Sequence, residues 1–233
     1  TQCETYTSEL YDLARRLDQL KRPVIIYFGG APGTGKSMLA TSLATRLGIN
    51  KVISTDSIRE IMRLAFSNDL LPTLFHSTTE AWKGLPMEFQ SSEQLIAGYC
   101  LQANQVSLGV RAVVERTVEE GENLIVEGVH LVPFIHEIAK KEMVDAYHIP
   151  ITLSIMNEKH HRERFSERGT KNLRKIENFY LERFDGIRSI HEYTLTQCET
   201  DEVEVFDNED LDETLNLIIQ FSIQRLFKQV NSE

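Results

Sequence analysis

Residues 30–37 read Gly-Ala-Pro-Gly-Thr-Gly-Lys-Ser, and that string limits the chain more than any other feature. It fits the pattern G-x-x-x-x-G-K-[ST] at every position. The apolar run 24–28 precedes it, bounded by Pro23 and Gly29, and reads as a buried strand. An amphipathic helix over 36–47 follows, stopped by Gly48. A strand, a glycine-rich turn and a helix in this order aim successive backbone N–H groups, and the positive helix end, at phosphate oxygens. Gly30, Gly33, Thr34, Gly35, Lys36, Ser37 and Met38 are the candidate nucleotide-binding residues. Lys36 is placed to reach the outer phosphates of ATP, and the Ser37 hydroxyl to ligate Mg²⁺.

The remaining pattern alternates strand and helix. Strands are expected at 51–54, 123–126, 149–155 and 202–206, each short and largely apolar. Helices are expected at 7–21, 93–120, 132–141, 157–169, 173–195 and 210–227. Another begins near Ser57, where Ser57 and Glu60 suggest a capping box, and runs to about Phe66. Residues 68–92 lack one period and carry Pro72, Gly84 and Pro86, so short helices and a loop are expected. The fold class that follows is α/β: a parallel five-stranded sheet with helices on both faces, of the P-loop NTPase type. One domain fills residues 1–233, with a core over 22–228, a helical substrate cap over 67–92 and a lid over 157–171. Ligands of such sheets bind at the carboxyl ends of the strands, so the polar residues there are the candidates.

Asp56 follows the second strand, with Arg59 and Arg63 at i+3 and i+7 along one helical face. A carboxylate beside two guanidinium groups suits an anionic acceptor with a hydroxyl to activate. Capping by Asp56 with solvated arginines is the plainer alternative. Glu127 ends the third strand, where an acidic group can hold the Mg²⁺ hydration shell. His160, His161, Arg162, Arg164 and Arg168 lie after the fourth strand, with His161, Arg164 and Arg168 on one face. Lid arginines neutralise charge on a moving phosphoryl group. The interleaved Glu158, Glu163 and Glu167 also fit a solvated, salt-bridged helix.

The pair G-G-x-x-G-T-G-K-S at 29–37 and T-D-S-I-R-E-x-x-R at 55–63 resembles the 2-phosphoglycerate kinases of archaea and their plant and bacterial relatives. The D-x-x-R element is also similar to that of polynucleotide 5′-kinases. The first resemblance implies ATP-dependent phosphorylation of 2-phosphoglycerate to 2,3-bisphosphoglycerate. It implies that Glu127 and His130 line the substrate pocket. The stretch after the fourth strand resembles the lid of small-molecule P-loop kinases, so Lys36, Asp56, Arg164 and Arg168 are the candidate catalytic residues, Asp56, Arg59, Arg63, Glu127 and His130 the candidate substrate residues, and Ser37 and Glu127 the candidate metal ligands. Archaeal members carry an added N-terminal regulatory domain, which one leading helix is not expected to replace.

Composition removes some partners. A net charge of −10 over 233 residues disfavours nucleic acid, whose phosphates call for a basic surface. No apolar run spans a bilayer and no signal-type start is visible, so a cytoplasmic protein acting on a small phosphorylated metabolite is expected. Cys3, Cys100 and Cys198 fit free thiols. Oligomeric state stays open, a homodimer being one option. An inositol-phosphate kinase, a polynucleotide or nucleoside kinase and a non-catalytic nucleotide switch remain the alternatives.

Overall fold

The computed structural model describes residue 17 and residues 20–86, 92–138, 144–166 and 174–231. Five strands form one parallel sheet: β1 (Val24–Gly29), β2 (Lys51–Ser54), β3 (Leu124–Glu127), β4 (Tyr147–Ser154) and β5 (Glu204–Asp207). Their spatial order is β2-β3-β1-β4-β5. The chain therefore starts at the middle of the sheet and fills both sides, leaving a crevice where the order reverses beside β1. β1 is buried along its whole length, which explains its unbroken apolar run.

Alternate residues of the central strands feed two cores. Ile26 and Phe28 pack with helix α1 (Lys36–Leu47) and the closing helix α8 (Leu211–Asn231). Ile25 and Tyr27 face the other way, toward Ile58 of α2 (Thr55–Ala65) and Val106, Val110 and Val114 of α3 (Ser92–Glu119). α3 matches the long helix expected from its periodicity. Two short 3₁₀ segments, Pro72–Phe75 and Thr78–Gly84, replace the unperiodic stretch and pack on α3.

Several boundaries differ from expectation for local physical reasons. α2 begins at Thr55 because Ser54 is its cap, its Oγ accepting the Ser57 N–H at 3.1 Å. Asp56 therefore lies in the first helical turn. The helix expected after Pro133 is a 3₁₀ turn, Val129–Phe134, running into the short α4 (Ile135–Ile138). The single helix expected over 173–195 is two, α6 (Arg174–Leu181) and α7 (Phe184–Thr200). At the break, Arg183 stacks over Phe179 at 3.9 Å and its Nε pairs with Glu80 at 3.1 Å, while Phe184 turns into the core. α5 (Glu158–Ser166) follows β4. Most of the leading helix lies outside the described residues, as do Cys3, Arg168 and Lys171. Cys100 and Cys198 are free thiols. Among the described residues no helix is long and apolar enough to cross a membrane.

Candidate active site

A cavity of about 510 Å³ opens at the carboxyl end of the sheet. Its floor is the turn between β1 and α1. Gly33 and Gly35 hold φ values of +86° and +90°, where a side chain is strained. A Cβ on Gly35 would lie 2.5 Å from Asn208 Nδ2, and one on Gly33 would enter the Phe165 ring. The turn is thus held by its surroundings as well as by its glycines. Thr34 Oγ1 and Lys36 Nζ both donate to the Ala31 carbonyl, at 3.0 and 2.8 Å. Asn208, after β5, donates to the Thr34 carbonyl at 2.8 Å. His161 donates from Nε2 to the Pro32 carbonyl at 2.8 Å, and its Nδ1 accepts from Arg188 at 3.3 Å. Burial pushes the His161 pKa down to about 4, so the ring stays a neutral brace.

Lys36, Ser37 and Met38 line the cavity from the first turn of α1. The β1–β3 register sets Phe28 opposite Glu127, and the β2–β3 register sets Ser54 opposite the same residue. The ends of β1, β2 and β3 therefore meet at one point. Ser37 Oγ donates to Glu127 Oε1 at 3.0 Å, which gathers oxygen donors suited to a hard cation beside the loop.

Across the cavity stand Asp56 and Arg59. The Asp56 side chain is 64% exposed and that of Arg59 only 15%. Arg59 Nη1 donates to the His76 carbonyl at 2.6 Å, and Nη2 to Glu60 at 3.0 Å. Its Nε lies 3.8 Å from Asp56 Oδ1 and, among the described residues, has no hydrogen-bond partner. The cavity thus joins a phosphate-binding turn, a cation-type oxygen pair, an exposed carboxylate and a guanidinium paired loosely with it.

Three expected residues stand elsewhere. Arg63 does not line the cavity: its Nη1 sits 2.9 Å from both Glu60 oxygens, and its guanidinium lies over the Phe75 ring. His130 is 1% exposed and lies beneath the cavity wall, bonded to Thr55 and Gln102. Arg164 lies outside the lining, donating to the carbonyls of Asn208 and Glu209. Sequence reasoning missed Ser77, Thr78 and Thr79, and Phe179, Tyr180 and Ile187, all of which line the cavity. None follows a strand, and no short motif contains them. Only the two-residue spacing of hydroxyls at 77 and 79, beside a third at 78, offered a signal.

A family model described as an AAA domain matches residues 26–185. The 2-phosphoglycerate kinase of Methanopyrus kandleri is 38% identical over 224 residues, covering 95% of this chain and 67% of the relative. That of Pyrococcus furiosus is 41% identical, covering 88% and 66%, and that of Methanococcus vannielii is 36% identical, covering 97% and 72%. The chain belongs to the 2-phosphoglycerate kinase family. It spans about two thirds of the length of these curated relatives. A gluconokinase from Sinorhizobium meliloti superposes with a TM-score of 0.50 at 13% identity, covering 91% of this chain and 97% of that one. A shikimate kinase from Acinetobacter baumannii gives 0.50 at 13%, covering 93% and 98%. The fold of this 2-phosphoglycerate kinase family member is therefore that of the P-loop small-molecule kinases, phosphotransferases with hydroxyl acceptors.

Proposed function

We propose that this kinase transfers the terminal phosphoryl group of ATP to the hydroxyl of 2-phosphoglycerate, giving 2,3-bisphosphoglycerate and ADP. One observation carries the reading: Asp56 and Arg59 line the same cavity as Lys36 and Ser37. The relatives' names supply the acceptor.

In this reading the loop amides of 30–37 and the Lys36 ammonium hold the triphosphate. Lys36 exchanges its bond to the Ala31 carbonyl for phosphate oxygens. Ser37 and Glu127 would hold Mg²⁺, which when bound neutralises phosphate charge. Arg59, lining the cavity beside Asp56, offers its guanidinium to an acceptor anion, a charge-assisted contact stronger than a neutral one. The hydroxyls of Ser77, Thr78 and Thr79 supply further donors on that side. Asp56 orients the acceptor hydroxyl and takes its proton as the oxygen bonds to the terminal phosphorus. The bond from that phosphorus to the bridging oxygen breaks, and ADP leaves with the bridging oxygen. The segment 67–92 serves as the acceptor cap and 157–171 as the lid, with Arg164 at its base. A cytoplasmic site of action and a single catalytic domain complete the proposal.

The test is coupled ADP release with Mg-ATP against 2- and 3-phosphoglycerate, inositol phosphates, nucleosides and a 5′-hydroxyl oligonucleotide. Turnover confined to 2-phosphoglycerate is expected. Turnover with an inositol phosphate instead would keep the chemistry and replace the acceptor. ATP binding with no acceptor-dependent ADP release would contradict the reading.

A further inference from the structure

The buried polar groups behind the acceptor side of the cavity form one continuous chain. Gln102, fully buried in the middle of α3, donates from Nε2 to the carbonyls of Thr73 and His76, at 2.6 and 3.0 Å. Both hydrogens of that amide nitrogen are spent on acceptors, so Oε1 is the atom that faces His130. Its separation from His130 Nε2 is 3.1 Å. An amide oxygen only accepts, so Nε2 carries the imidazole hydrogen. Nδ1 then holds the lone pair, and Thr55 Oγ1, 2.9 Å away, must donate to it. Every hydrogen in the chain is fixed by the carbonyls at its far end.

Both ends of the chain reach the cavity. Thr55 is the first residue of α2, directly before Asp56. The Gly128 backbone approaches it so closely that a Cβ there would overlap Thr55 Oγ1. At the other end, the His76 carbonyl that takes the Gln102 amide also takes Arg59 Nη1 at 2.6 Å. Ser77, Thr78 and Thr79 follow His76 directly, and all three line the cavity. Burial, joined by the Arg59 and Lys36 charges and only partly offset by the Asp56 carboxylate, holds the His130 pKa down to about 4, which keeps the ring neutral and its donor and acceptor sides distinct.

We infer that His130 and Gln102 are positioning residues whose oriented relay fixes the anion-holding wall of the acceptor site to the helix end that carries Asp56. Neither touches the acceptor. Gln102 sets where Arg59 and the hydroxyl wall stand, and so sets acceptor affinity. Thr55, held by His130, sets the direction of Asp56, and so sets the rate of transfer. The inference rests on the reading that Asp56 and Arg59 serve the acceptor.

The two arms separate by substitution in the full chain. Gln102→Leu is expected to raise the acceptor KM about tenfold with kcat little changed. Thr55→Val is expected to lower kcat about tenfold with the acceptor KM little changed. Both should leave the KM for Mg-ATP within about twofold of wild type. Replacing His130 tests the relay itself. His130→Asn keeps an acceptor toward Thr55 and should behave like Gln102→Leu. His130→Gln keeps a donor toward Gln102 and should behave like Thr55→Val. Thr55→Ser retains the hydroxyl and should restore kcat. A merely structural role would lower the melting temperature and leave these ratios unmoved, and that result in folded variants overturns the relay. The acceptor used is whichever compound turns over. The same split with another acceptor sinks 2-phosphoglycerate and keeps the relay, whereas 2-phosphoglycerate turnover without the split does the reverse. A second measurement needs no acceptor: the ¹⁵N shifts of the His130 ring at pH 7. An Nε2–H tautomer in the wild type supports the relay; an Nδ1–H tautomer overturns it.

Discussion

The two ends of the cavity are built by different means. The nucleotide end is one contiguous stretch, 30–37, that presents backbone N–H groups on a turn with three glycines at positive φ, Gly30, Gly33 and Gly35. The proposed acceptor end is assembled from Asp56 and Arg59 of α2, the 77–79 hydroxyls, and buried supports on α3 and after β3. A backbone site is specified locally, because eight residues carry both the donors and their geometry. A side-chain site is specified by packing, because each group needs a neighbour from another segment to hold its direction. The first is fixed and general. The second can be retuned by single side chains without disturbing the first.

The largest expected break of this division is Gly33→Ala. Its φ of +86° and the Phe165 ring above it leave no room for a Cβ. The substitution should weaken Mg-ATP binding about a hundredfold or more, measured by titration, since strain and overpacking together cost about 2–4 kcal/mol. Affinity within about threefold of wild type would show that the turn tolerates change and that the backbone is not the determinant.

Arg59→Ala should act at the other end only. Loss of a mostly buried charge-assisted contact should raise the acceptor KM about ten- to a hundredfold while the KM for Mg-ATP holds. Equal rises in both constants would merge the two ends into one site.

Acid should loosen the supports of both ends together. Burial lowers His130 and His161 to about 4, against an ordinary value of 6.5. Between those values the unfolded chain binds more protons, so stability falls as pH falls. His130 alone should remove about 2 kcal/mol by pH 5. Melting temperature should therefore drop steadily from pH 7 to pH 5, and His130→Gln should flatten part of that slope. A flat profile would mean that these rings carry protons in the folded protein.

Arg63→Ala is the smallest effect and sharpens the boundary of the acceptor site. Its ion pair with Glu60 is partly exposed, so both kinetic constants should stay within about twofold. A tenfold rise in the acceptor KM would bring Arg63 back into the site.

What the sequence disclosed follows the same division. The loop at 30–37, the parallel sheet and the 28-residue α3 all rest on contiguous pattern, and all were legible. Asp56 and Arg59 were legible because i and i+3 are neighbours on a helix. Arg63 lies off the cavity because i+7 shares a face but stands about 10 Å along the axis, where Glu60 and Phe75 take it up. The burial of His130 was not legible because its position after a strand end says nothing of which way the ring turns. Gly128 lets the chain run so close to Thr55 that the ring goes beneath the wall rather than into the cavity. His161 looked like a lid residue from its charged helix, yet its partners are the Pro32 carbonyl and Arg188, which are distant in sequence. The 77–79 wall had no period to read, because short 3₁₀ turns leave none.

In the proposed mechanism nucleotide binding and acceptor activation are separate tasks, the second centred on Asp56. Asp56→Asn in the full chain tests it most directly, with Mg-ATP affinity and acceptor-dependent ADP release measured on the same preparation. ATP affinity within about twofold of wild type and turnover reduced about a hundredfold or more is the result expected of a residue that handles the acceptor proton. Turnover within about threefold of wild type would contradict it, and would reduce Asp56 to a charge in the first turn of α2.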